Sequence, residues 1–450
     1  MGGAIFVPRN FTQLDDAPST LTGQARKRVR VKSDETALEF YSPELIDIRD
    51  YGAVSGADSS TAINAALAAG SILIPPGIFW VDASIIAETN RMLWGCGPES
   101  ILKAKANLNA AMISGTSKDK IVLNNFLLDG NQANQTSSAA TGISLNGCTR
   151  VRMVYMYLTA CYGHAIWIYG GSNRIKVLDS DIYDTGVASA NPPRGIYSYK
   201  SRKVEFCHNT IIAANGFGIT AQESSEVVIN ENDIEDSVNY DGMIIYNCFD
   251  VTINGNNIRN CFDSGIVLEL CSEYTCNGNT IERAGYVGIY LVGSSYGTVN
   301  GNVLRDNGQN NHATFRHDII LNPSSTVSTW TASTVKALDA IVKPTTPNGF
   351  YYKCTTAGTT GASEPGAWPT TKNTTVTDGT VVWTAYPLNA THNNVSGNVC
   401  VSTTPIRTRY GIEEQTASDD YNVITNNQCF GQSIAGVQKR GANSVAANNL

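Results

Sequence analysis

Residues 265–270 read GIVLEL, an apolar strand with one carboxylate, Glu269, set between two leucines. Alternation along a strand sends successive side chains to opposite faces. Ile266, Leu268 and Leu270 are therefore expected inside, with Val267 and Glu269 outside. The same Gly-apolar opening recurs at Gly142-Ile143, Gly195-Ile196, Gly218-Ile219, Gly242-Met243, Gly288-Ile289 and Gly411-Ile412. Ala165-Ile166 and Asp318-Ile319 hold the same place without the glycine. The step is 23 residues from 142 to 165 and from 195 to 218, then 24, 23 and 23 up to 288. Steps of 30, at 165–195 and 288–318, each carry a small extra loop. A second motif, Asn-x-apolar, runs in phase at Asn209, Asn232, Asn256, Asn279 and Asn302, and resumes at Asn398 and Asn427. Two or three short strands per period of about 23 residues describe one coil of a parallel β-helix, with coils stacked at ~4.8 Å. The asparagines are expected to bond amide to amide up the stack at one turn, in backbone that tolerates a left-handed conformation. That role is structural.

Composition agrees with a β-rich, turn-rich chain: 450 residues, only 16% charged, with 40 glycines. A net charge of −7 gives no reason to expect nucleic acid as a partner. No stretch approaches the ~18 consecutive apolar residues of a membrane span, and the first residues lack a secretory signal. Eleven cysteines without paired close spacing read as reduced, small apolar fillers. Cys271 and Cys276 have no companion pair at a zinc-like spacing, so no metal and no cofactor is expected.

Residues 46–85, IDIRDYGAVSGADSSTAINAALAAGSILIPPGIFWVDASI, resemble the opening of the pectate-lyase-like β-helices of bacteriophage tailspikes. The DYGA turn, the amphipathic helix, the LIPPG strand and the turn Gly95-Cys96-Gly97 carry the resemblance. The helix is legible directly, with Asp58 or Ser59 as N-cap, Ile63 and Leu67 on one face, and Gly70 as its stop. Its expected task is to cover the open first coil. The resemblance spans roughly residues 46–320 and 391–450. It implies an all-β, right-handed parallel β-helix in a homotrimer that binds and depolymerises a bacterial surface polysaccharide, capsule or O-antigen. It also implies a place in the virion tail, and residues 11–40 resemble the short connector of phage tail proteins that precedes the receptor-binding part, which implies attachment to tail or baseplate proteins through the N-terminus. The chain ends in mid-coil at Asn448-Asn449-Leu450, which suits a trimer that covers the open edge.

The expected organisation is an N-terminal connector over 1–45, the start of the β-helix with its capping helix over 46–105, coils over 106–323, an insert over 324–390, and last coils over 391–450. In the connector's basic cluster Arg26, Lys27, Arg28, Arg30 and Lys32, Val29 and Val31 alternate with Arg28, Arg30 and Lys32, the pattern of a one-sided, solvated strand. The insert lengthens one step to 93 residues and turns to Thr, Pro and Trp. It resembles small carbohydrate-binding-like β modules of phage tail proteins. Its Trp330, Trp368 and Trp383 read first as the core of so small a module and second as a sugar-binding face.

Two outward slots per coil follow from the alternation: Ser144/Asn146, Trp167/Tyr169, Tyr197/Tyr199, Thr220/Gln222, Ile244/Tyr246, Val267/Glu269, Tyr290/Val292, Ile320/Asn322 and Glu413/Gln415. Aromatics hold six of these eighteen places against 8% of the whole chain, so Trp167, Tyr169, Tyr197, Tyr199, Tyr246 and Tyr290 are the candidate sugar-binding residues. A trimer interface reads the same way. Glycoside hydrolysis needs two carboxyls, about 6.5–9.5 Å apart when inverting and about 5–5.5 Å when retaining. Glu269 as general acid with Glu223, two coils away at ~9–10 Å, suits the first. Asp241 and Asp263, on adjacent coils ~5 Å apart, approach the second, and stacked like charges point to a shared proton or to ordinary turn aspartates. A polysaccharide lyase with His164, His317 or Tyr410 as base and Arg194 beside it is the alternative, and a non-catalytic adhesin the third. Arg174-Ile175-Lys176 matches a polygalacturonase motif, but its surroundings do not.

Overall fold

The computed structural model describes residues 28–31, 38–41, 44–187, 192–403 and 408–450. Arg28–Val31 pairs antiparallel with Leu38–Tyr41, and Arg26, Lys27 and Lys32 lie outside the described residues. From Ile46 onward each coil contributes three strands, one to each of three parallel sheets of fourteen, twelve and twelve strands. Phe249–Asn254, Asn257–Arg259 and Ile266–Glu269 form one such coil. Among the described residues no helix is long and apolar enough to cross a membrane.

The helix Ser60–Ala69 buries Ile63, Ala66 and Leu67 in the core beside Ile72 and Ile74, at the open end of the first coil. Asp58 does the capping: its carboxylate accepts from the Ser60 amide and hydroxyl, while the Ser59 side chain makes no capping bond.

The glycine repeat has a packing cause. A Cβ at Gly218 would stand 2.7 Å from Ile234 Cγ2 and 2.6 Å from the Gly242 carbonyl oxygen, because the third sheet turns its first residues against the second sheet of the next coil. Gly218→Ala is therefore expected to cost about 1–3 kcal/mol through overpacking, read as a lower thermal midpoint.

At Asp318 the same slot holds a carboxyl, fully buried, taking hydrogen bonds from Asn307 Nδ2 (2.9 Å) and Gln432 Nε2 (3.4 Å). Burial pushes it up to about 8. The folded site keeps its proton where the unfolded carboxyl has lost it, so stability falls as pH rises from about 4 to about 8 and levels off above. Asp318→Asn is expected to flatten that part of a melting-midpoint profile against pH.

The asparagine ladder forms as expected. Asn209, Asn232, Asn256, Asn279, Asn302 and Asn398 each donate an Nδ2–H to the carboxamide oxygen of the next, all at 2.9 Å, and Asn398 reaches Asn427. The left-handed backbone falls one residue earlier than expected, at His208, Glu231, Gly255, Gly278, Gly301, Gly397 and Asn426. The ladder asparagines are buried, and ten of the eleven cysteines are buried as fillers.

The insert is a four-stranded antiparallel sheet, Ile341–Val342, Phe350–Thr356, Val381–Pro387 and Thr375–Asp378. Its core holds Trp330, Tyr352, Cys354, Val381 and Trp383, with Trp368 packed against it. Trp330 and Trp383 both donate their indole N–H to Asp378 Oδ2, at 2.7 and 3.0 Å. The tryptophans build the module, as their first reading has it.

Candidate active site

The third sheet carries the outward slots in the expected register. Ser144, Trp167, Tyr197, Thr220, Ile244, Val267, Tyr290, Ile320 and Glu413 pair in one column. Asn146 and Tyr169, then Tyr199, Gln222, Tyr246, Glu269, Val292 and Asn322, form the second. Tyr246 stands beside Glu269 as expected. Tyr290 instead pairs with Val267, so it lies diagonal to Glu269.

Two expectations about this face are corrected. Leu270 leaves the helix core: it turns left-handed (φ 54°) and packs with Val327, Tyr351 and Leu388 of the insert. Val267 points outward but is only 6% exposed. Glu269 is half-buried and accepts hydrogen bonds from Thr326 Oγ1 (2.6 Å) and Ser324 Oγ (3.3 Å), where the insert begins.

The carboxylates named from the sequence fall into two groups. Glu223 follows its strand in a left-handed turn (φ 50°), is ion-paired with Lys200 Nζ at 3.4 Å, and lies one column beyond Glu269. With Tyr199, Tyr246 and the insert segment 337–341 it lines a cleft of about 230 Å³. Asp241 and Asp263 stand at the opposite edge of the sheet, five and six residues along the chain from the Glu269 column, or ~16–20 Å. The two groups cannot serve one bond. Asp241 and Asp263 are also offset: Ser264, not Asp263, pairs with Asp241, and the Ser264 amide donates to Asp241 Oδ1 at 2.8 Å. Burial, then the neighbouring Asp263, pushes Asp241 (7% exposed) well above the usual carboxylate range, and burial raises Asp263.

The aromatic end of the face is the more concentrated site. Trp167 and Tyr169 stack at 4.1 Å, the Trp167 and Tyr197 planes lie within 2°, and Tyr199 follows Tyr197 at 6.2 Å. His164 sits edge-on to Trp167 (5.6 Å) and Tyr197 (5.2 Å) and is 4% exposed. Burial, with the Arg194 charge, holds its imidazole down to about 3, so it is neutral at physiological pH. The Arg194 guanidinium lies 4.2 Å over the Tyr197 ring and donates to the Pro192 carbonyl oxygen at 2.7 Å. Tyr197 Oη donates to Gln222 Oε1 at 3.0 Å. His164 Nδ1, Trp167 Nε1, Arg194 Nε, Thr141 Oγ1 and Thr220 Oγ1 are all buried without a hydrogen-bond partner. Buried polar groups are ordinarily paired, and here five unpaired atoms lie together at the aromatic end of the face.

His317 and Tyr410 stack on each other at 5.5 Å, five and six coil steps or ~24 and ~29 Å from Arg194, and cannot share a substrate carboxylate with it. His317 is bound to Glu413 at 2.7 Å, and Glu413 to Arg440 at 2.8 Å. Of the three bases considered from the sequence, only His164 stands next to Arg194. The sequence reading missed Gln222, Thr141 and the Trp167 indole N–H as site groups, because the pairing state of a polar atom has no sequence signal.

The sequence profile described as "Right handed beta helix region" matches residues 141–307 and 194–342. The chain is a right-handed parallel β-helix. It is similar to the A-module of the Azotobacter vinelandii mannuronan C-5 epimerase AlgE6, at 16% identity and a TM-score of 0.65 over 90% of this chain and 98% of that one. The periplasmic alginate epimerase AlgG is similar at 13% identity and a TM-score of 0.52, over 84% of this chain and 83% of that one. Tailspike protein 2 of Escherichia coli O157:H7 bacteriophage CAB120 aligns at 15% identity and a TM-score of 0.42, over 62% of this chain and 41% of that one. These likenesses concern the fold. No curated protein matches the chain.

Proposed function

We propose that this chain is the receptor-binding part of a phage tailspike that binds a uronate-containing bacterial surface polysaccharide along the third sheet and cleaves it at His164, Arg194 and Tyr197. The observation that carries the reading is the set of unpaired buried polar atoms among parallel aromatic rings. Arg194 neutralises the uronate carboxylate, which acidifies the C5 proton. The neutral His164 imidazole accepts that proton, and the electron pair forms a C4–C5 double bond as the C4–O bond breaks. Tyr197, held by Gln222, donates its hydroxyl proton to the departing glycosidic oxygen. The fold is shared with a protein named for epimerising mannuronan at C5, a reaction at the same carbon. The tailspike setting and the homotrimer rest on the resemblance of residues 46–85, and attachment through the N-terminus on that of residues 11–40.

Hydrolysis is the second reading, favoured by one observation: burial, with Asp263 beside it, raises Asp241 well above the usual carboxylate range, the direction a general acid requires. Glu269 with Glu223 is the other carboxylate pair for it. Product analysis on capsular polysaccharides separates the readings. Unsaturated, ultraviolet-absorbing ends support elimination, while new reducing ends without absorbance overturn it in favour of hydrolysis. Deuterium uptake from heavy water without cleavage would mean epimerisation, and no product at all an adhesin.

A further inference from the structure

One turn of the β-helix, just inside the start of each first-sheet strand, is left-handed on coil after coil: Arg150, Arg174, Lys203, Glu226, Asp250 and Glu273 all have φ between 52 and 61°. These residues pair in register. On the next three coils the same column changes character to Tyr296, His392 and Tyr421, with φ of 57, 58 and 59°. Bulky aromatic residues are poor choices for left-handed backbone, where Gly, Asn or Asp sit with less strain. Burial does not offset that cost, since Tyr296 is 38% and Tyr421 55% exposed. The three rings run parallel, at 4.8 Å and 14° and then 5.1 Å and 11°, as a rail ~10 Å long. Lys372 of the insert closes its lower end, with Nζ 4.1 Å over the Tyr296 ring and 2.7 Å from Glu273.

The rail forms one wall of a cleft of about 520 Å³ between the last coils and the insert, the other wall including Asn348, Thr371 and Asn389. Among the described residues the Asn389 amide and the phenol oxygens of Tyr296 and Tyr421 have no hydrogen-bond partner. Lys372 is ion-paired with Glu273, and the Asp420 carboxylate on the cleft wall is held by Asn443 and the Tyr421 amide, so the cleft offers apolar ring surface, polar groups and a carboxylate that disfavours an acidic sugar. We infer that this seam is a second saccharide-binding site, distinct from the third-sheet face, which takes an uncharged pyranose segment of about two rings. An amphipathic sugar suits a concave site with aromatic walls and a few polar groups.

The test uses the full chain and an array of purified bacterial capsular and O-antigen polysaccharides. The column holds Asp250 at the same φ on a lower coil, and Asn and Asp tolerate left-handed backbone, so the double variant His392→Asn/Tyr421→Asp is expected to fold with an unchanged melting midpoint. It is expected to bind a polysaccharide retained by the wild type at least about tenfold more weakly, while turnover of short oligosaccharides is unchanged. Equal retention by variant and wild type overturns the proposal, as does wild-type protein that retains nothing on the array. A changed sedimentation coefficient with unchanged retention also overturns it and makes the rail a subunit contact. His164→Ala is measured alongside. Its products report on the third-sheet chemistry, whereas the retention of the His392→Asn/Tyr421→Asp variant against the wild type reports on the seam, so the two readings fail separately.

Discussion

His164→Gln is expected to lower polysaccharide cleavage by about 10²–10⁴-fold, the usual contribution of a positioned general base, with an unchanged melting midpoint. His164 Nδ1 has no partner to lose, and the ring meets Trp167 and Tyr197 only through edge contacts. Because burial holds the imidazole down to about 3, the rate is expected to show no histidine limb near neutral pH, and it falls on the acid side only toward about pH 3, where the imidazole itself takes a proton. Arg194→Lys should be nearly as harmful as Arg194→Ala, since an ammonium cannot lie flat over Tyr197 and face a carboxylate at once. Near wild-type cleavage by His164→Gln would move the chemistry to the carboxylates. Glu269→Gln would then be the variant that loses at least about two orders of magnitude while still binding, with the Asp241/Asp263 pair as the next place to look.

The second large effect concerns the docking of the insert. Leu270→Ala is expected to destabilise the protein by about 2–5 kcal/mol, measured as a fall in thermal midpoint. Leu270 is fully buried with Val327, Tyr351 and Leu388, and its carbonyl oxygen accepts from Tyr351 Oη at 3.3 Å. Around this contact Thr326 donates to Glu269, Lys372 pairs with Glu273, and Lys353 Nζ lies 4.6 Å over Phe249. Replacing residues 324–390 with a short Gly-Ser bridge should leave the coils folded, because the module has its own core and loop length costs little. It would bare Leu270 and Tyr246. A melt of Leu270→Ala that matches the wild type would show that the module is only tethered.

Much was legible before any coordinates. The period of the Gly-Ile strands and the Asn-x-apolar motif specified coils, registers and two outward columns, because a stacked strand repeats its environment every coil and selection repeats the residue. The capping helix could be read from Ile63, Leu67 and Gly70. The candidate residues were less decided. Alternation alone sent Leu270 inward, yet a strand's last residue is free to turn, and the insert offered it a better apolar partner than the coil did. The spacing rule placed Asp241 and Asp263 in one slot, but the register shifts them by one because Ser264 intervenes.

The sequence by itself determined the β-helix, the asparagine ladder and the outward aromatic face, since each depends on local periodicity that a single coil already contains. Only the tertiary structure decided that His164 lies beside Arg194 while His317 and Tyr410 lie ~24 and ~29 Å from it, and that Glu269 and Asp241 face different edges. It alone brought the insert onto Leu270 and against the Tyr296, His392 and Tyr421 rail. Such facts depend on which distant segments share a surface and on which buried atoms are left unpaired, and neither is written in the spacing of residues along one strand.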